Sequence, residues 1–510
     1  MIFKALLKNH LVELIGEEEM NNRVMLVGCG PHATRIYLPT IDIYREEFNI
    51  DLAAVVDIES KKQKVTSVIA NKHPSADLHF VTENSDGIFQ LSPSDKDKLE
   101  RIVEEREINS MILSTDPLAH KAYIEFALEK GIHILMDKPI TTQPDASTNI
   151  TNAKGIMEDY YGLIKKFREA EIDHPDLIVS CLSQRRYHPA INRVKEELER
   201  VYDLTGCPPT SIVCQHSDGQ WRMPNEIIDI PYHGYDKGIG KGSHSGYHFF
   251  DIMNWYAEVA KGKQADKIEC FANFVRPADW INQFTLRDYE KLFGKQQAKD
   301  MIPFSQDEFE TITHEFGEID AHINFTYKKD NKTITNIQMS LLHGGFSKRS
   351  WSQPKQDLYK GNGRIRHETH IIHQGPFQAL YYVSYQSDEI SNRNLKDRTD
   401  VGGELHSDVY IFRNSKALRT DLPPLEIIPF GKSTEDGLHG YSRGHQENAR
   451  VECFVEFMRA IEGNIPKGAL KSSLEKHEGS VKLMALSYLS AAKEFNGEGP
   501  FSYYSNGELK

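Results

Sequence analysis

The stretch Arg23-Val24-Met25-Leu26-Val27-Gly28-Cys29-Gly30-Pro31-His32-Ala33 decides the fold of the front of this chain. An apolar run, Val24 to Val27, leads directly into Gly-x-Gly-x-x-Ala. That order predicts a strand, a tight turn and a helix start, the opening of a dinucleotide-binding unit. Gly28 permits the turn, Gly30 lets a pyrophosphate lie against the backbone, and Ala33 lets the helix pack close to its strand. The helix start then offers unpaired N–H groups to the phosphates. A second strand reads Asp51-Leu52-Ala53-Ala54-Val55-Val56-Asp57. Its terminal acid is placed to accept hydrogen bonds from both ribose hydroxyls of NAD and to repel a 2′-phosphate. Lys61, Lys62 and Lys64 follow and leave NADP open. A strand-end cap is the structural alternative for Asp57.

From Arg23 to Ser183 the pattern alternates. Strands are expected at 24–28, 52–57, 78–82, 110–114, 132–136 and 177–183, with helices such as Asp95–Glu107 and Leu118–Lys130 between them. This predicts a doubly wound parallel sheet. Gln143–Asp159 reads as an inserted loop or an irregular helix start. After Pro189 a helix, Ala190–Tyr202, precedes alternating stretches at 319–327 and 333–342 joined by a turn over Lys328–Lys332, with further strands at 364–373, 378–386 and 408–412. Such alternation predicts a large, mostly antiparallel open sheet in an α+β domain. Helices over Asn448–Glu462 and Leu474–Phe495 close the chain. The expected division is an N-terminal extension (1–20), a dinucleotide-binding domain (21–185) and a substrate-binding and oligomerisation domain (186–510). Gly16-Glu17-Glu18-Glu19 before Met20 suggests purine-rich codons like a ribosome-binding site, so Met20 is the expected start and residues 1–19 a translated leader.

The composition narrows the function. A chain of 510 residues with 39% hydrophobic and 26% charged residues fits a soluble protein of two or three domains. A net charge of −13 argues against nucleic acid or an anionic membrane as partner. No apolar run reaches the ~20 residues needed to cross a bilayer. Six cysteines without a Cys-x-x-Cys pair fit free thiols in a reducing cytoplasm.

Two further segments carry chemistry. In Met111–Thr141 a strand ends at Ser114-Thr115, Pro117 helps start a helix, and the next strand delivers Asp137-Lys138-Pro139 at its carboxyl end. Ligands bind there in parallel sheets; a surface strand-end lysine is the plainer reading. In Gly238–Asp251 a glycine-rich loop enters an apolar helix, with His244 and His248 four apart on one face. Imidazole is the usual acid or base near neutral pH. A metal pair lacks an evident third ligand, and exposed histidines at a helix start are the bland alternative. Arg186, Trp221, Tyr235, Lys237 and Lys241 are candidates for the pocket lining.

These motifs together resemble the Gfo/Idh/MocA oxidoreductase family. Gly28-x-Gly30-x-x-Ala33, Thr115-x-Pro117-x-x-His120 with Asp137-Lys138-Pro139, Arg185-Arg186-Tyr187-His188-Pro189 and His244-x-Gly246-x-His248-x-x-Asp251 stand in family order. Ser487–Glu494 resembles its closing region, while Val259–Tyr441 is similar at fold level only. The resemblance implies an NAD(P)-dependent dehydrogenase of a sugar, inositol or related polyol. It implies Lys138 and His248 at the reacting carbinol, with His244 beside them. It assigns to the cofactor Gly28, Gly30, Pro31, His32, Ala33, Asp57, Ser114, Thr115, Pro117, His120, Asp137, Lys138 and Arg186. Two departures stand out: Asp137 replaces the family's Glu, and His244 stands where most members carry Asp. An NAD-dependent glycoside hydrolase and a non-catalytic NAD(P)-binding regulator are the alternatives. A homodimer or homotetramer is expected, because the open sheet face needs a cover.

Overall fold

A computed structural model describes residues 21–83, 89–219, 222–229, 234–343, 365–387, 401, 405–431 and 445–510. The expected start at Met20, and Trp221, lie outside the described residues.

The first six strands are β1 (Asn22–Val27), β2 (Ile50–Ile58), β3 (Asp77–Val81), β4 (Ser110–Leu113), β5 (His133–Met136) and β6 (Val179–Cys181). They form one sheet in the order 3-2-1-4-5-6, every pair parallel. The order reverses between β1 and β4, so their carboxyl ends open a crevice. Successive residues of β1 point to opposite faces. Val24 and Leu26 join one buried cluster with Tyr37 and Ile41, while Met25 and Val27 join another with Tyr123 and Ile156. Both faces are covered, which is why these strands read as unbroken apolar runs.

The cover on one face comes from far along the chain, in the helix His445–Ile461. It contributes Ala449, Phe454, Val455 and Met458 to the cluster beneath β1 and β2. Gln143–Asp159 holds a loop followed by a helix start. A 24-residue helix, Ile150–Asp173, begins inside it, capped by the Asn149 side-chain Oδ1, which accepts from Thr151 N (2.9 Å) and Asn152 N (3.1 Å). It buries Ala153, Ile156, Met157, Tyr160, Leu163 and Phe167. Gly155 and Gly162 weaken its local propensity, and packing overrides that.

The remaining strands are β7 (Ser211–Ser217), β8 (Lys267–Val275), β9 (Asp320–Lys329), β10 (Lys332–Leu342), β11 (Ile365–Gln374), β12 (Gln378–Ser387), β13 (Ser407–Arg413), β14 (Leu425–Pro429), β15 (Phe501–Ser505) and β16 (Glu508–Leu509). They make a ten-stranded sheet in the order 14-13-12-11-7-10-9-8-15-16, antiparallel except for β7 with β10. Asp330 and Asn331 both take positive φ (50° and 59°) at the tip of the β9–β10 hairpin, the backbone a tight right-twisted turn requires. Ile323, Phe325, Ile337 and Met339 face the helices Tyr247–Ala257 and Glu478–Phe495 in one core, and His322, Asn324 and Gln338 lie on the open face. Between β8 and β9, four short helices over 277–313 pack around Ile281, Tyr289 and Phe309. None of them is among the elements expected from the sequence above. No helix among the described residues is long and apolar enough to cross a membrane.

Candidate active site

The glycine turn sits at the carboxyl end of β1. Gly28 has φ +88°, and a Cβ there would lie 2.3 Å from the Ser114 carbonyl oxygen, so glycine is obligatory. Around Gly30 no atom stands within 4 Å of an added Cβ, so its backbone is open to close approach. Asp57 ends β2 and is buried. Its Oδ2 accepts from Cys29 N (2.8 Å), its Oδ1 accepts from its neighbour Ile58 N (2.8 Å), and Lys61 Nζ stands 3.7 Å away. The carboxylate therefore braces the turn from the edge of a cavity of about 270 Å³ lined by Gly28, Gly30, Asp57, Phe89, Ser114 and Tyr123, among others. The open glycine backbone and an acid at the end of β2 fit the pyrophosphate and ribose of a dinucleotide.

A second cavity, of about 380 Å³, continues from the first and shares Gly30, Lys61, Ser114, Thr115 and Asp116 with it. One wall carries Pro31, His32, Arg35, Pro117, Asp137 and Lys138; the other carries Gln184, Arg185, His216, Asp218, His244, His248 and Arg366; Gln446 and Arg450 reach the cavity from the helix that covers the first sheet. Thus Lys138, His244 and His248 converge on one space, although 106 residues separate Lys138 from His244.

Asp137 is fastened from three sides. Tyr37 Oη donates to Oδ1 (2.6 Å), Ser114 Oγ donates to Oδ2 (2.8 Å), and His32 Nε2 stands 3.6 Å away. Burial pushes its pKa up, but His32 and the two hydroxyl donors outweigh this and hold it below the usual carboxylate range. The shorter acid, compared with the family's Glu, thus has a structural task beside Lys138. Lys138 Nζ donates to the backbone carbonyl of His244. Burial brings its pKa down to about 8; Asp137 opposes the fall, while Arg450 and Arg185 add to it.

His244 sits in a widened turn, Gly242–Gly246, just before the helix that carries His248. Gly246 N donates to Lys241 O (2.7 Å), five residues back. A Cβ on Gly246 would lie 2.7 Å from that same oxygen, so the glycine belongs to the bulge. Such bulges often re-aim side chains at functional sites. Burial, then the Lys138 charge, push both His244 and His248 well below the usual histidine range. Both imidazoles are therefore neutral near neutral pH. His248 Nδ1 is buried and finds no hydrogen-bond partner among the described residues.

Three assigned residues stand elsewhere. Arg186 is 1% exposed and absent from the cavity lining. It forms an ion pair with Asp251 and donates to the carbonyls of Lys471 (2.8 Å) and Lys476 (2.9 Å). Its neighbour Arg185 faces the cavity instead. His120 is fully buried, its Nδ1 2.7 Å from Pro139 O, so it supports the Lys138-Pro139 bend from beneath. Ala33 packs in the core behind the turn. The pocket candidates Tyr235 and Lys241 are also buried. Lys241 Nζ reaches Asp218 Oδ2 (2.8 Å) and Leu342 O (2.9 Å), and Tyr235 Oη contacts His343 Nδ1. Lys237 pairs with Asp116 at the rim (2.7 Å).

Asp218 is the main residue that motif reading misses. It follows β7, reaches the cavity, and stands 2.9 Å from His343 Nε2. Burial pushes its pKa up, but Lys241 and His343 hold it well below the usual range. It supplies a carboxylate to the wall that carries His244. An acid directly after an alternating strand is its only local signal.

Residues 22–154 match the family model described as an oxidoreductase family with an NAD-binding Rossmann fold. No curated protein matches the chain in sequence. Among solved structures, an oxidoreductase from Agrobacterium radiobacter, crystallised with NAD+, L-tartaric acid and magnesium, is similar with a TM-score of 0.55 and 12% identity, over 95% of this chain and 98% of that one. The WlbA dehydrogenase from Bordetella pertussis, in complex with NADH and UDP-GlcNAcA, has a TM-score of 0.51 and 10% identity, over 93% and 97% of the two chains. At such identities the likeness is one of fold.

Proposed function

We propose that this chain, whose residues 22–154 belong to the Gfo/Idh/MocA family of NAD-binding oxidoreductases, acts on the carbinol of a sugar, inositol or related polyol. Bound NAD supplies the hydride acceptor. The observation that carries the reading is the meeting of Lys138, His244 and His248 in the cavity that continues from the glycine turn. Neutral His248 takes the hydroxyl proton as the carbon is oxidised. The Lys138 ammonium steadies the oxygen as negative charge develops on it. Asp137 and the His244 carbonyl fix that ammonium between the two walls. His244 and Asp218 offer further hydrogen-bond partners to neighbouring hydroxyls.

The test is nicotinamide reduction, followed by absorbance, across a panel of sugars and polyols. Lys138→Ala and His248→Ala serve as controls. Turnover that is lost in both variants supports the reading. Unchanged turnover in both refutes the site, and NAD binding with no reduction across the panel refutes the activity. The open face of the ten-stranded sheet supports a second copy as its cover, and light scattering showing a monomer at micromolar concentration refutes that part.

A further inference from the structure

We infer that the substrate carries an anionic group, a carboxylate or a phosphate ester on the sugar or polyol, and that Arg366 and Arg450 receive it. The inference rests on the carbinol reading above and concerns the same cavity.

The charges of that cavity fall into two sets. Its acids are already answered: Asp116 by Lys237, Asp137 by Tyr37, Ser114 and His32, and Asp218 by Lys241 and His343. Arg185 is answered too, through two parallel bonds to Glu368 (2.9 and 2.6 Å). Arg366 differs. It lies at the start of β11 and donates from Nη1 to the neutral Gln446 Oε1 (2.6 Å). Its Nε is buried without an acceptor, and among the described residues no carboxylate pairs with it. A guanidinium in that state favours an incoming anion.

Arg450 stands one helical turn beyond Gln446, on the same face. It pairs with Glu447 (3.2 Å) and lines the cavity. Its charge also bears on His32, Lys138 and His248, lowering the pKa of each. Guanidinium forks match carboxylate and phosphate oxygens better than they match hydroxyls.

The experiment is calorimetric titration of the full NAD-loaded chain. D-gluconate, D-glucuronate and D-glucose 6-phosphate are compared with D-glucose and myo-inositol. The expected result is that at least one anion binds more than about tenfold tighter than its neutral counterpart, with the preference shrinking as salt rises. The sugar acids and the sugar phosphate separate the two sources of charge. Arg366→Ala and Arg450→Ala should abolish the preference, and Arg366→Lys should keep part of it. Thermal melting confirms that each variant is folded. Equal binding of neutral and anionic ligands, no binding by any anion, or a preference that survives both alanine variants overturns the inference. Hydride transfer from neutral polyols alone leaves the proposed function standing and removes this inference. An Arg-dependent anion preference without turnover does the reverse.

Discussion

The two walls of the cavity are built in opposite ways. The wall below β1, β2 and β5 presents backbone and small residues: an open Gly30, a turn braced by Asp57, and Lys138 at a strand end. The facing wall presents titratable side chains, held by ion pairs between segments far apart in the chain. Arg185 joins Glu368, Lys241 joins Asp218, and Arg186 joins Asp251. The first design suits a ligand whose shape is invariant, because main-chain N–H groups and helix ends recognise phosphates without side-chain choice. The second suits a variable ligand, because one substitution changes its charge. Chemistry falls at the seam, where Lys138 from one wall bonds to the His244 carbonyl of the other.

The largest effect should come from breaking the seam. His248→Ala and Lys138→Ala are each expected to cut kcat by about 10²–10⁴-fold, with NAD affinity, measured by titration, changed by less than about tenfold. A comparable loss of NAD affinity in His248→Ala would show that the walls do not divide their work. Next is the joint beneath the second wall. Asp251→Asn leaves the buried Arg186 charge without its partner and should destabilise the fold by about 3–5 kcal/mol, read by denaturant unfolding. The equivalent brace on the first wall is the Asp57 carboxylate on the Cys29 backbone N–H, with only the half-exposed Lys61 beside it, so its removal strands no buried cation.

That contrast also explains what the sequence discloses. The first wall is written locally. Six residues from Gly28 to Ala33 specify turn, cradle and helix contact, and Asp137-Lys138 follow one apolar run. His244 and His248 are legible because a single glycine-rich segment holds both. The rest of the second wall gathers Arg185, Asp218 and Arg366 from separate segments, and no short pattern joins them. Arg185 and Arg186 are adjacent, and only the short helical turn Gln184–Tyr187 decides which faces the cavity. The helix His445–Ile461 has an ordinary amphipathic sequence. Nothing in its own period says that it returns to the first sheet, because that depends on where the chain leaves the second one.

A smaller effect tests how the second wall responds to pH. Glu318 Oε1 accepts from Gly242 N (2.7 Å) and Tyr488 Oη (2.8 Å), directly under the turn that holds His244. Burial raises its pKa to about 7. A raised folded pKa stabilises the fold at low pH, and this is lost as pH climbs from the unfolded value to the folded one. Replacing it by Glu318→Gln should therefore be more favourable at about pH 8 than at about pH 5, by on the order of 3 kcal/mol at most. Melting curves of the two proteins at both pH values check this; a constant difference between them would refute it.

The finest test uses Lys138 itself. Its pKa stands lowered to about 8 by burial, so the ammonium that dominates near neutrality is lost as pH rises through that value. His248 is held well below the usual range, so its neutral form persists into mild acid. The free-enzyme profile of kcat/KM should then be flat near neutrality and descend above about pH 8 by about tenfold per unit. A two-walled site in which one wall kept its histidine charged would instead show a rising limb near about pH 6.5. Lys138→Arg keeps its charge at every accessible pH, so whatever activity it retains should lack the descending limb. A limb that persists in Lys138→Arg would assign the titration to another group, and with it the ammonium's part in the reaction.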